Sequence, residues 1–167
     1  MKQNLTTPDG TAISKYCVGA MQFGGNADED TSRGMFDACR AAGINFFDTA
    51  YGYTDGKSET ILGGLAAAER DKLFIATKCA GSGGASAQNI RAQFDQSRQR
   101  LNLDVVDLLY IHMWDNDTPL QETFETLAGL VQGGSIRYIG VSNFAAWQIM
   151  KADYIAQSFG TEIAMLQ

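Results

Sequence analysis

Long apolar runs are what this 167-residue sequence most plainly lacks. No stretch approaches the roughly 20 consecutive apolar residues that a membrane span needs, and mean hydropathy is −0.15. The segment from Met1 to Gly10 is polar and holds Pro8 and the turn pair Asp9-Gly10. A secretory leader would carry an apolar stretch of about 7 to 15 residues there, so the expectation is a cytoplasmic protein that makes no use of a membrane. Positive charge is scarce: thirteen Lys and Arg stand against nineteen Asp and Glu, for a net charge of −6. Polyanion binding needs clustered basic residues, and no nucleic-acid partner is expected. The densest basic group, Arg91, Arg98 and Arg100, falls in a helical segment beside Asp95 and reads as a solvated face. The three cysteines, Cys17, Cys39 and Cys79, are odd in number, widely spaced and form no CxxC pair. They argue against a disulfide framework and a thiolate zinc site. With a single histidine, His112, the group Asp48, His112 and Asp115 makes no convincing ligand set, and no metal is expected. GxGxxG and GK[ST] are both missing, which disfavours an open dinucleotide-binding dehydrogenase. The Gly-rich stretch from Gly81 to Ser86 then reads as a flexible loop rather than a phosphate cradle.

What is present is a repeating pattern: a short apolar run, a polar or Gly-rich turn, then an amphipathic stretch. The apolar runs are Cys17 to Phe23, Ile44 to Phe47, Leu73 to Thr77, Val105 to Ile111, Ile136 to Val141 and Ile163 to Leu166. Their shortness and β-branched or aromatic content predict buried strands. Helices are predicted over Asp30 to Ala42 (stopped by Gly43), Ser58 to about Arg70, Ser86 to Leu101, from Pro119 through Val131, and Ala145 to about Phe159. Asn143 is a fair capping position for the last of these. A β-hairpin around Asp9-Gly10 would cap one end of a barrel. Strands alternating with helices demand a parallel sheet with helical crossovers. A closed eight-stranded barrel typically takes about 250 residues, and an open doubly wound sheet would fit the length better. The alternation alone leaves both open.

Polar residues at the strand ends carry the chemistry. Asp48 follows the second apolar run, Lys78 the third, His112 the fourth, and Ser142 with Asn143 the fifth. Parallel α/β proteins build their sites at the C-terminal edge of the sheet, where these groups would converge. Singly, each has a plain reading: Asp48 as a turn residue, Lys78 as a solvated lysine, His112 as a structural histidine, Ser142-Asn143 as a helix cap, Tyr53 as a surface aromatic. Their joint placement is what independent causes would not produce. Met21, Met113 and Trp114 read equally as an apolar substrate wall or as core.

Five segments, in chain order, resemble the aldo-keto reductase family. They are Gly19-Ala20-Met21-Gln22-Phe23-Gly24, then Phe47-Asp48-Thr49-Ala50 with Tyr53 and Gly56-Lys57-Ser58-Glu59, then Ile75-Ala76-Thr77-Lys78. Asp107-Leu108-Leu109-Tyr110-Ile111-His112 and Ile139-Gly140-Val141-Ser142-Asn143-Phe144 complete the set. The resemblance implies an α/β fold, the (β/α)8 TIM barrel, and NADP(H)-linked reduction of a small-molecule aldehyde or ketone, or the reverse. It implies Tyr53 as the general acid and Lys78 as the cation beside it. It further implies Asp48 as the group that holds Lys78 and touches the nicotinamide ribose, and His112 as the group that orients the carbonyl. Ser142, Asn143 and Gln167 resemble the residues that bind the nicotinamide carboxamide. Tyr51, followed by Gly52, competes for the acid's place. Tyr53 stands five residues after Asp48 and five before Ser58, as the family's tyrosine does.

In the family the seventh and eighth strand regions supply the stacking aromatic and the groups that hold the adenosine phosphate. The expectation is therefore one domain, 1–167, forming an incomplete barrel of about six parallel strands and five helices that lacks the last two βα units. Such a chain would bind NADPH weakly, be of doubtful activity, and self-associate through open sheet edges. The alternative function is a catalytically silent barrel fragment that acts as a binding or regulatory module.

Overall fold

The structure, a computed structural model, describes residues 4–167. Six parallel strands stand side by side in chain order: β1 (Cys17–Gly19), β2 (Phe46–Asp48), β3 (Phe74–Cys79), β4 (Val106–Ile111), β5 (Ile136–Val141) and β6 (Ile163–Leu166). The helices between them are α1 (Glu29–Ala41), α2 (Lys57–Ala66), α3 (Ala87–Leu101), α4 (Leu120–Gln132) and α5 (Ala146–Ser158). A doubly wound sheet reverses its strand order at a switch point. Here the order runs 1-2-3-4-5-6 without reversal, so the sheet curls in one direction as part of a (β/α)8 barrel. β1 and β6 are its two edges.

Alternation along the strands sorts side chains onto two faces. Phe47, Ile75, Leu109, Ile139 and Val141 join the large core between sheet and helices. Phe46, Phe74, Ala76, Leu108 and Tyr110 form a second cluster on the inner face. Asp48 and Lys78 continue that inner series, two residues beyond Phe46 and Ala76, and are carried into the barrel interior by the same period. α2 and α3 lie so close that a Cβ on Gly63 would collide with the main chain of Leu101.

The N-terminal turn forms as expected, though as a single bridge. Thr6 pairs antiparallel with Ala12, Gly10 takes φ +88°, and Asp9 accepts from Thr7 and Thr11. Leu5 and Ile13 pack on the inner cluster, and Arg137 donates to the Thr6 carbonyl at 2.6 Å. Arg137 and Arg70 also converge on the buried Asp107 carboxylate at 2.7 and 2.6 Å.

Several boundaries differ from the sequence expectation. β2 starts at Phe46 and takes in Asp48, and β3 runs on to Cys79 and takes in Lys78, so both residues lie on the strands rather than after them. β1 ends at Gly19, because Ala20 and Phe23 turn inward, the Phe23 N–H closing on the Ala20 carbonyl. α2 stops at Ala66 and the chain continues in 3-10 turns through Lys72. α5 is preceded by Ala145, not capped by Asn143; the Gln148 side chain accepts from the Ala145 N–H at 2.7 Å instead. Asn143 is drawn away by a left-handed backbone, φ 59°, that turns its amide toward His112.

Candidate active site

The strand-end residues meet at the C-terminal edge of the sheet. Lys78 Nζ is fully buried and donates to Asp48 Oδ2 at 2.5 Å, to the Thr49 carbonyl at 2.8 Å and to the Tyr53 hydroxyl at 3.3 Å. The His112 ring stands edge-on to Tyr53, with centroids 5.8 Å apart. Tyr51, Gly52, Tyr53, Lys78, Gly81, Ser82 and His112 line a cleft of about 300 Å³. Gly81 fits the cleft wall because it has no side chain: a Cβ there would stand 2.9 Å from His112 Nδ1.

Tyr51 and Tyr53 are separated by this geometry. Tyr53 points its hydroxyl at Lys78, whereas the Tyr51 hydroxyl faces Gln96 of α3 at 3.4 Å. The backbone between β2 and α2 explains the divergence. Thr54, Asp55 and Gly56 take φ values of 48°, 53° and 86°, a left-handed run that swings the chain sharply after Tyr53. Side chains pay for that conformation with strain, and Thr54 is held in it by donating to the Phe23 carbonyl at 2.8 Å and accepting from the Ser58 N–H at 2.9 Å.

Gln167 joins the group, its amide donating to Asp48 Oδ2 at 3.2 Å. The Asn143 N–H donates to the Gln167 carbonyl, and its side-chain amide to the His112 carbonyl at 2.9 Å and to Ser142 Oγ at 3.0 Å. Ser142 is buried beside them. All seven residues singled out from the sequence therefore belong to one connected neighbourhood, with Ser142 and Asn143 touching its rim rather than the Lys78 ammonium. Of the apolar candidates, Trp114 stacks edge-on with Phe144 and Trp147, while Met21 and Met113 are half exposed.

Burial pushes the Asp48 carboxyl above the ordinary carboxylate range, against the pull of Lys78 and Gln167. Burial, with Lys78 nearby, holds His112 below the ordinary imidazole range. His112 is therefore neutral at neutral pH and has an N–H to offer. Unfolding returns it to a value near ~6.5, so the unfolded chain gains a proton that the folded chain refuses. Stability contributed by this group is lost as pH falls through that value. Between about pH 7.5 and about pH 5.5 the urea midpoint should drop, and the drop should be shallower in His112→Asn. Asp48 acts with the opposite sign in both proteins, so the comparison is made between the two slopes; equal slopes would exclude His112 as the responsible group.

Sequence reading missed Glu59 and the outcome for Arg100. Glu59 is fully buried, accepting from Thr77 Oγ1 at 2.6 Å and from Arg100 at 3.2 Å. A signal existed: Glu59 shares the helical stripe of Leu62 and Ala66, so a carboxylate stood on an apolar face. Arg100 is not part of a solvated face; its guanidinium packs against the loop that carries Tyr53.

Comparison with known proteins decides the lineage: the model of the aldo/keto reductase family matches residues 15–167. The chain belongs to this family. Among curated aldo/keto reductases and oxidoreductases, it is 34% identical to norsolorinic acid reductase B of Aspergillus parasiticus, over 89% of this chain and 44% of that protein. It is 35% identical to the uncharacterized oxidoreductase YrpG of Bacillus subtilis, over 89% of this chain and 51% of that one. It is 33% identical to the aldo-keto reductase ausK of Emericella nidulans, over 98% and 47% respectively. The chain thus spans about half the length of these relatives. No helix among the described residues is long and apolar enough to cross a membrane.

Proposed function

We propose that this chain carries the reaction centre of an NADP(H)-linked carbonyl reductase, converting an aldehyde or ketone to the alcohol or running the reverse. One observation carries the reading: the Tyr53 hydroxyl lies 3.3 Å from a buried Lys78 that is itself fixed on Asp48, at the mouth of the cleft that His112 lines. A phenol held against an ammonium can give up a proton and have the resulting phenolate stabilised in place. Tyr53 is the general acid, passing its proton to the carbonyl oxygen. Lys78 holds the phenol oxygen, Asp48 holds Lys78, and neutral His112 donates to the carbonyl and orients it.

A nicotinamide cofactor fits the residues beside this centre. Asp48 Oδ1 is buried and has no hydrogen-bond partner among the described residues, and a ribose hydroxyl is the donor it lacks. Asp48, Ser142, Asn143 and Gln167 would hold the nicotinamide end. When bound, the cofactor supplies the hydride. The relatives named as reductases support the same class of reaction.

The test is titration of NADPH fluorescence, followed by NADPH oxidation in the presence of an aromatic aldehyde. Expected are weak binding and aldehyde-dependent oxidation at millimolar cofactor. Absence of both binding and oxidation at that concentration would overturn the reading in favour of a catalytically silent module.

A further inference from the structure

We propose that Arg100, on α3, is a positioning residue that braces the Tyr53 loop against β3 and so sets the Tyr53–Lys78 contact. The proposal rests on Tyr53 being the acid. Arg100 Nη1 donates to the Tyr51 carbonyl at 2.8 Å, two residues before Tyr53, and to Glu59 Oε2 at 3.2 Å. Its guanidinium lies over the Tyr51 ring, 4.7 Å from the centroid. It also fills the space beside Gly56, where a Cβ would come within 2.5 Å of it. One planar group thus touches both ends of the segment 51–56.

The chain of contacts continues inward. Glu59 accepts from Thr77 Oγ1 at 2.6 Å, and Thr77 is the neighbour of Lys78 on β3. Arg100, Glu59 and Thr77 therefore join the loop that bears Tyr53 to the strand that bears Lys78, by a route separate from the Tyr53–Lys78 contact itself. The loop needs such a hold. It contains two consecutive non-glycine residues in the left-handed region, Thr54 and Asp55, and such backbone persists only where its surroundings over-determine it. The Tyr51 ring and carbonyl are gripped from α3, so the chain can turn back at Tyr53 toward the barrel interior. Arginine suits the place because a flat fork can stack and donate in two directions at once; lysine offers a single point charge.

Arg100→Met keeps the apolar stem and removes the fork, and two readouts follow from it in the 167-residue chain. The first is amide hydrogen exchange. The Tyr51 and Tyr53 N–H groups donate to the Lys78 and Ala50 carbonyls, and their exchange should quicken in Arg100→Met while the amides of β3 and β4 stay as protected as before. The second is turnover. Displacement of a reacting group by about an ångström costs roughly 100-fold, so kcat should fall by about that factor with KM for the aldehyde little changed. Guanidinium ion at millimolar concentration should restore part of both in Arg100→Ala. Glu59→Gln, which keeps the shape and one of the two acceptor oxygens, guards against loss of folding and should show the same changes in smaller degree. Unaltered loop exchange in Arg100→Met, or faster exchange with wild-type kcat, overturns the proposal. A parent chain without turnover but with the predicted change in exchange upholds the brace and counts against the acid assignment alone.

Discussion

Tyr53→Phe is expected to lower aldehyde turnover by about 100- to 10,000-fold, the usual contribution of a general acid, with folding stability nearly unchanged. The substitution removes one oxygen. The group that loses a partner is Lys78, which keeps Asp48 at 2.5 Å and the Thr49 carbonyl at 2.8 Å. The ring retains its edge-on contact with His112. NADPH affinity should also survive, because the nicotinamide end is assigned to Asp48, Ser142, Asn143 and Gln167. Initial rates with an aromatic aldehyde, beside a urea melt of the same preparation, separate the two effects. Tyr51→Phe is the control: its hydroxyl faces Gln96, at 3.4 Å and away from Lys78. Wild-type rates in Tyr53→Phe together with a collapse in Tyr51→Phe would exchange the two assignments.

The second large effect concerns stability. Lys78→Met is expected to cost about 3–5 kcal/mol, the usual penalty for removing one partner of a buried ion pair. The Lys78 side chain is 0% exposed and the Asp48 side chain 5%. Without the ammonium, Asp48 keeps only the Gln167 amide on Oδ2, and Oδ1 has no partner among the described residues. Burial already raises its pKa, so the orphaned carboxyl takes up a proton more readily and the penalty shrinks as pH falls. Lys78→Met combined with Asp48→Asn should recover much of the loss, because the uncompensated charge goes with it. Urea unfolding of the single and double variants provides the comparison. A single-variant cost of only about 0.5 kcal/mol, typical of surface sites, would show that the pair carries no such weight.

The strand ends were legible because each apolar run stops on a polar residue, and parallel strands in register bring those stops to one edge. Asp48 and Lys78 were legible as partners only through that logic, since thirty residues separate them. Two things were beyond pattern. Barrel and doubly wound sheet share the same alternation; the family-like motifs pointed to the barrel, and the unreversed strand order shows it. The contacts of Arg100 were hidden because its neighbours Arg98 and Asp95 sit on an ordinary helix surface, while its own direction depends on where Tyr51 comes to lie. Asn143 looked like a helix cap for a similar reason. Composition favours it there, but its amide serves His112, and Ala145 with Gln148 begins the helix.

The N-terminal turn has a consequence for how the molecule comes to be made. Every sheet pairing joins a strand to the next one in the chain, so each new βα unit leaving the ribosome finds its neighbour already laid down. The Thr6–Arg137 hydrogen bond is different, because it spans 131 residues. Until Arg137 has been synthesised, the Thr6 carbonyl lacks that donor and the buried Asp107 lacks its second arginine. Leu5 and Ile13 can meet Phe46 and Phe74 early, but Leu108 and Tyr110 arrive much later. Residues 5–13 thus acquire their full set of neighbours only after Arg137 has been made, when most of the wall above them already stands.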